Sequence, residues 1–308
     1  KYINFQLGYD KNFIGDGYRS LLLSDNSYNY PFVKATGTLG KVKYMAMFAQ
    51  FIDFQDTPFD DTTPYPKKFG VFHFLSWNAT SRLSLGLFQN VMWEPRGFEF
   101  SYAVPLMILR SAEFANGTPD KALYGLTASY KIADRYVGYG QLMINEFRIN
   151  DMFSNRGNWA NKQGVQLGVK GFDIFKVNNL NAQLETNMVR PYSYSSRTHF
   201  TNYGHFGQPL AHPYGANFKE YLSIFNYRFK NFDARLQLTK ATYGLDVDSV
   251  SYGKDIYKSY FSRPGDEGIF IGHGLKTNLI YAQATLAYIL NPKNNLRIEI
   301  GYTHRNES

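Results

Sequence analysis

Residues 218–243, FKEYLSIFNYRFKNFDARLQLTKATY, constrain this chain more than any other stretch. In their second half Phe232, Ala234, Leu236 and Leu238 alternate with Asp233, Arg235, Gln237 and Thr239. Successive side chains of a strand point to opposite faces, so this is a strand with one apolar and one polar face. Residues 221–229 repeat the pattern less cleanly, because Tyr and Phe sit among polar residues. Only Lys230 and Asn231 lie between the two halves, the length of a tight hairpin turn. A lone hairpin is not stable in water and needs further strands beside it.

The rest of the chain supplies them. Strand-like segments cover 2–9, 32–39, 42–54, 68–77, 82–89, 121–131, 135–149, 162–171, 180–190, 275–289 and 295–305. With the hairpin this makes about thirteen strands, an odd count where single-chain bacterial barrels have even ones. Their connections alternate strictly in length. Short turns at 40–41, 78–81, 132–134, 172–179, 230–231 and 290–294 fall on one edge of the sheet. Long loops at 10–31, 55–67, 90–120, 150–161, 191–217 and 244–274 fall on the other. A sandwich or propeller does not sort loop length by edge in this way, whereas outer-membrane barrels join short periplasmic turns to long extracellular loops.

Composition decides which solvent the apolar faces meet. Tyr 25 and Phe 26 bring the aromatic fraction to 18% of 308 residues, and Tyr favours boundaries between water and an apolar phase. Mean hydropathy is -0.38, and no run approaches the roughly 20 apolar residues of a spanning helix. A helical membrane protein is excluded, but a β-barrel, whose strands need only about 9–11 residues, is not. Trp77, Tyr130, Tyr136 and Tyr302 are candidates for the aromatic girdles. Cys 0 removes disulfides and thiolate metal sites. The net charge of +8 is dispersed, with Lys67 and Lys68 its longest run, which points away from nucleic acid.

The expected fold is thus an all-β, antiparallel up-and-down transmembrane outer-membrane β-barrel of about fourteen strands when complete, one domain over 1–308. An unpaired edge in lipid is costly, and the chain starts at Lys1 within strand-like sequence and stops at Ser308. Parts at both ends, including at least one C-terminal strand, are expected to be missing. The lumen is expected to be polar, lined by Arg82, Gln166, Lys170, Asp233, Arg235, Gln237, Arg297 and Glu299.

Several segments stand out from this background. In 11–25, KNFIGDGYRSLLLSD, Gly15 and Gly17 flank Asp16, followed by Tyr18 and Arg19. This is either a glycine-shaped turn with a surface Asp–Arg pair or a rigid lumen-facing loop that shapes a pore or a glycan site. FSYAVPLMILR, 100–110, is too apolar for a solvated loop and reads as a lumen plug or a partner-binding patch. His199, His205, His212 and His273 lie in or beside long loops; their wide spacing fits hydrogen bonding better than metal ligation. Asp246, Asp248 and Asp255 lack the glycine and twelfth-position glutamate of a calcium loop and read, like Asp60 and Asp61, as exposed acids. No metal or other cofactor is expected. Tyr192, Tyr194, Tyr203 and Trp159 are loop aromatics whose faces suit sugar rings, against the plainer reading of girdle or loop packing.

The string LGYDKNFIGDGYRSLLLSD at 7–25, with HFGQPLAHPYGANFKE at 205–220 and IEIGYTHR at 298–305, resembles the RemB family of gliding-motility proteins. These are outer-membrane β-barrels of gliding bacteria, distantly similar to the capsule-assembly protein Wzi. The resemblance implies a non-enzymatic component of gliding, secretion or other cell-surface machinery. It also implies outer-membrane or periplasmic partner proteins beside the outer-membrane lipid, and it carries over no catalytic residue. A Wzi-like barrel or adhesin binding surface polysaccharide is the alternative. An outer-membrane hydrolase is a third class, but no Ser stands near a His and an acid by spacing. The candidate loop or partner-binding residues are Asp16, Tyr18, Arg19, Tyr192, Tyr194, His205 and His212.

Overall fold

A computed structural model of the chain describes residues 3–55, 65–94, 121–146 and 156–308. Thirteen strands form one antiparallel sheet in which each pairs with its neighbours in sequence. They are β1 (Ile3–Asp10), β2 (Tyr30–Leu39), β3 (Val42–Ile52), β4 (Lys67–Asn78), β5 (Leu83–Trp93), β6 (Lys121–Ala133), β7 (Tyr136–Glu146), β8 (Lys162–Gly171) and β9 (Leu180–Val189). After them come β12 (Phe218–Phe229), β13 (Phe232–Leu245), β14 (Leu275–Asn291) and β15 (Leu296–Glu307). The remaining two strands, β10 (Gly204–His205) and β11 (Gln208–Pro209), make a separate small hairpin. Among the described residues β1 and β15 are the edges of the large sheet, and no ladder joins them.

The order β1 to β15 is the up-and-down topology expected from the alternating loop lengths. The opening hairpin pairs Phe229 with Phe232 across Lys230 and Asn231, and β2 pairs Leu39 with Val42 across Gly40 and Lys41. Gly40 has φ 57 there, the left-handed conformation that a two-residue hairpin demands. Several strands run longer than their alternation suggested, while β3 and β9 end earlier. β5 continues through Asn90 to Trp93, because the Asn90 amide is satisfied by the carbonyl of Val71 at 2.8 Å. The candidate plug 100–110 and the acids Asp60 and Asp61 lie outside the described residues.

The two faces of the sheet differ. One is apolar and uncovered: Phe5, Leu7, Leu126, Leu167, Leu184, Leu236, Leu286 and Ile300 are exposed on it, Leu167 by 59%. Toward the short-turn edge this face carries Trp77, Tyr130, Tyr136, Phe229, Phe232 and Tyr288, all exposed. That is a girdle of rings at one level. The other face is covered by the chain's own loops. Phe32, Met47, Phe51, Phe72, Phe88, Met92, Leu123 and Met143 there form one core with Leu21, Leu22 and Leu23 of the β1–β2 loop and Tyr194 and Tyr203 of the β9–β12 loop. Single loop residues touch widely separated strands, Leu22 facing Gly125 of β6 and Tyr18 reaching Gln237 of β13, so the sheet curls around them. This loop-filled face is the lumen. As expected, Gln166, Lys170, Asp233, Arg235, Gln237, Arg297 and Glu299 lie on its side of the ladder, and Arg82 sits at the short-turn edge.

Candidate functional site: a lumen finger, its lid and an outer cleft

The β1–β2 loop, residues 11–29, enters the lumen as a finger. Ile14 and Leu23 form an antiparallel bridge, the Ile14 N–H donating to the Leu23 carbonyl at 2.9 Å, and the chain between them turns back at a tip. Three consecutive leucines, Leu21 to Leu23, are fully buried on the rising limb. Gly125 leaves the socket that Leu22 fills. The tip is polar and is held by side chains of the wall. Glu185 on β9 accepts from the backbone N–H of Tyr18 at 2.7 Å and of Arg19 at 3.1 Å, from the Tyr139 hydroxyl at 2.7 Å and from the Asn187 amide at 2.9 Å. Gln141 on β7 accepts from Leu21 N–H at 2.8 Å and donates to the Ile14 carbonyl at 3.1 Å. Gln166 on β8 donates to the Arg19 carbonyl at 2.9 Å. The finger makes little regular structure of its own, so these three side chains satisfy backbone groups that would otherwise be buried unpaired.

Gly17 is required by this arrangement. A Cβ on it would stand 2.6 Å from Glu185 Oε2 and 2.6 Å from the Arg19 carbonyl oxygen. The Asp–Arg pair expected in this motif does not form. Arg19 turns to Glu220 on β12, with Nε 3.8 Å from Oε1, while Asp16 is exposed at the tip.

The loop 190–217 closes over the finger as a lid. Tyr194 donates its hydroxyl to the Leu21 carbonyl at 2.7 Å and Tyr203 to the Leu22 carbonyl at 2.6 Å, the two rings stacked with centroids 5.8 Å apart. Ser24 N–H donates to the Leu210 carbonyl at 2.8 Å. His205 Nδ1 accepts from Ile52 N–H at 3.0 Å, which leaves the proton on Nε2 to donate to the Asn29 carbonyl at 3.1 Å. Asn217 ties the lid to the next loop: its amide reaches the carbonyls of Gly244, Tyr252 and His273, and its oxygen accepts from Gly272 N–H at 2.7 Å. Lid, wall and finger meet at Glu220, which is buried. It accepts from His212 Nε2 at 2.7 Å and from Asn187 at 2.9 Å. Burial holds the His212 pKa below its ordinary value despite the attraction of Glu220.

On the outer side of the lid, loops 204–217 and 245–258 enclose a cleft of about 420 Å³. Tyr214, Tyr257, Asp246, Asp255, Lys254 and Lys258 line it among Gly and Pro. Lys254 donates to the Tyr214 carbonyl at 2.8 Å and lies 4.5 Å above the Tyr243 ring. Asp246 Oδ2 accepts from Asp255 N–H at 2.8 Å. Two tyrosines whose rings pack against the core, with carboxylates and ammonium groups, thus line one open concavity whose polar groups suit hydroxyl-rich ligands.

The seven candidate residues divide accordingly. Asp16, Tyr18 and Arg19 form the finger tip, and His205 and His212 join the lid to the barrel. Tyr192 and Tyr194 are buried, Tyr192 bonding the Ser251 carbonyl at 2.6 Å, so neither offers a ring face to a sugar. Tyr203 is equally enclosed, and Trp159 has the Arg263 guanidinium 4.1 Å and the Lys162 ammonium 4.6 Å from its centroid. Of the two readings of these four rings, loop packing is the one they follow, their faces being taken by the chain's own groups. Sequence reasoning missed Glu185, Asn187 and Glu220, whose polar alternation marks the lumen face without revealing what they hold. It also missed Tyr214 and Tyr257.

No family model and no curated protein matches the sequence. Solved structures do. The chain is similar to Wzi, an outer membrane protein involved in group 1 capsule assembly in Escherichia coli and described as a carbohydrate-binding β-barrel. The TM-score is 0.68 at 15% identity over all of this chain. It spans 64% of the length of Wzi. It is also similar to OprD of Pseudomonas aeruginosa, with TM-score 0.51 and 10% identity over 99% of this chain and 72% of OprD. OccD3 of the same organism gives TM-score 0.51 and 11% identity over 99% of this chain and 70% of that one. At such identities the likeness shows the fold, that of bacterial outer-membrane β-barrels. With its uncovered leucine face and ring of aromatics, the chain sits in the bacterial outer membrane.

Proposed function

We propose that this barrel is a non-enzymatic surface protein that binds polysaccharide through its outer cleft. The observation that carries the reading is the cleft itself, where Tyr214 and Tyr257 stand with Asp246, Asp255, Lys254 and Lys258 among the long loops, the edge that faces outward in such barrels. The filled lumen supports it, since the buried leucines of the finger lie where a conduit would run. So does the likeness to Wzi. The test is retention of the detergent-purified protein on immobilised bacterial capsular polysaccharides. Retention that drops in Tyr257→Ala and Asp255→Ala supports the reading; no retention on any of them overturns it.

A second reading, a role in gliding or secretion machinery with outer-membrane or periplasmic partner proteins, rests on the resemblance to RemB. One observation favours it: two of the motifs that carry the resemblance are a single structural unit, joined where Ser24 meets Leu210. Isolation from native membranes with no companion proteins attached would remove it.

A further inference from the structure

Below the finger tip the lumen wall carries two rows rich in hydrogen-bonding side chains, the first interrupted by the buried Ile224. The register places Lys170 beside Gln183, Gln183 beside Ile224, Ile224 beside Gln237 and Gln237 beside Gln283. One step nearer the short-turn edge, Asn181 stands beside Asn226, Asn226 beside Arg235 and Arg235 beside Thr285. The first row crosses β8, β9, β12, β13 and β14 and the second β9, β12, β13 and β14, both on one face, and the finger stops above them. Tyr18 is 36% exposed at its tip, and Asn181, Gln183, Asn226, Arg235 and Gln283 are only half-buried. A primary amide offers two donors and an acceptor, the complement of a sugar hydroxyl pair.

The wall also carries two cations outside any close ion pair. Arg235 donates to Gln237 Oε1 at 3.2 Å and lies 5.6 Å from the Tyr18 centroid, and Lys170 lies 5.4 Å from that of Tyr139. Neither is in an ion pair among the described residues. The nearby carboxylate Glu185 is already taken by the finger and the wall, and the exposed Asp16 of the tip lies within electrostatic reach of Lys170. Short turns face the periplasm in this fold.

We infer that this amide wall, with Arg235, Lys170 and Tyr18, is a second saccharide site that opens toward the periplasm and takes a carboxylate-bearing polysaccharide strand. The amides bond the hydroxyls and the two cations hold the carboxylates. The inference rests on the proposed polysaccharide binding and adds a site on the opposite side of the finger.

The experiment is calorimetric titration of the purified barrel with a short oligogalacturonate, a neutral dextran oligomer of equal length and polyglutamate. It compares wild type, Arg235→Gln, Gln283→Leu and the outer-cleft variant Tyr257→Ala, each first shown to migrate as folded protein on an unheated gel. Arg235→Gln is expected to weaken oligogalacturonate by about tenfold or more and to leave the dextran oligomer unchanged. Gln283→Leu is expected to weaken both. Because the chain has Cys 0, Gln283→Cys supplies a unique thiol, and oligogalacturonate should slow its reaction with a maleimide. Oligogalacturonate binding that survives Arg235→Gln but falls in Tyr257→Ala refutes the inner site and leaves the outer-cleft reading standing; the reverse refutes the outer cleft alone. Polyglutamate binding as tightly as oligogalacturonate replaces the saccharide by an acidic peptide and overturns the inference. An absence of saccharide binding to wild type overturns both.

Discussion

Replacing Glu185 by Ala should release the finger without unfolding the barrel. Glu185 sits on a strand whose ladder bonds to β8 and β12 are made by backbone and are untouched by the change. What is lost is local: the two backbone donors of Tyr18 and Arg19, the Tyr139 hydroxyl and the Asn187 amide. Hydrogen bonds to a charged acceptor contribute about 1.5–3 kcal/mol each, so the two finger bonds alone account for about 3–6 kcal/mol of docking. At 1.4 kcal/mol per factor of ten this multiplies the undocked population by roughly 10² to 10⁴. Hydrogen exchange read by mass spectrometry reports it directly. Peptides covering 14–24 should lose protection by two or more orders of magnitude, while peptides from β13 and β14 keep theirs. Glu185→Gln should fall between, because one amide oxygen can still take one of the two N–H groups. Finger exchange that stays within about threefold of wild type in Glu185→Ala would refute the assignment of Glu185 as the anchor, since so small a change is worth under about 1 kcal/mol.

Gly17→Ala should give the same finger-specific loss of protection at smaller size, about 1–3 kcal/mol, because its Cβ has to displace the Glu185 carboxylate or the Arg19 carbonyl. Leu167→Arg, on the uncovered face, should destabilise folding into lipid bilayers by about 2–4 kcal/mol in urea titrations while leaving finger exchange unaltered. The lid should loosen in acid. Burial lowers the His212 pKa below the value of about 6.5 in the unfolded chain, so its contribution is complete above that pH and disappears as pH falls through the lower folded value. Protonation of Nδ1 breaks the 3.1 Å bond it accepts from Tyr214 N–H, against the pull of Glu220 and Glu185 and with the push of Arg19. Exchange at Tyr214, corrected for the intrinsic pH dependence, should therefore rise as pH falls below neutrality in wild type and be flat in His212→Gln.

The strands and their order were legible because alternation is a local property, and in an up-and-down sheet each strand meets its sequence neighbour. The finger was not, because what holds it is far away in sequence: Tyr18 and Glu185 are 167 residues apart. Yet one signal was present. Leu21, Leu22 and Leu23 are consecutive, so they cannot be one face of a strand, and three adjacent leucines in a loop have no reason to meet water. They mark an inserted segment, and within the described lumen they are what fills it. The Asp16 motif drew the eye to its acid, whereas the glycine after it is the residue the packing demands. For Tyr192 and Tyr194 the sequence left loop packing and a sugar contact both open, and their burial answers to packing.

The wall around the finger is divided, and the division explains why both kinds of contact are needed. Toward β2–β6 the finger and lid meet Phe32, Phe51, Phe72, Phe88 and Leu123, an apolar surface that rewards burial but tolerates sliding. Toward β7–β12 they meet Gln141, Gln166, Glu185, Asn187 and Glu220, each bonded to a named atom of the finger, of the lid or of a neighbour that is. Apolar contact rewards burial without direction, while the directional polar bonds fix one register. A one-residue slip would set the Gly17 position against a side chain it cannot pass and leave Glu185 with unmatched donors, which is why the finger holds a single position above the amide wall.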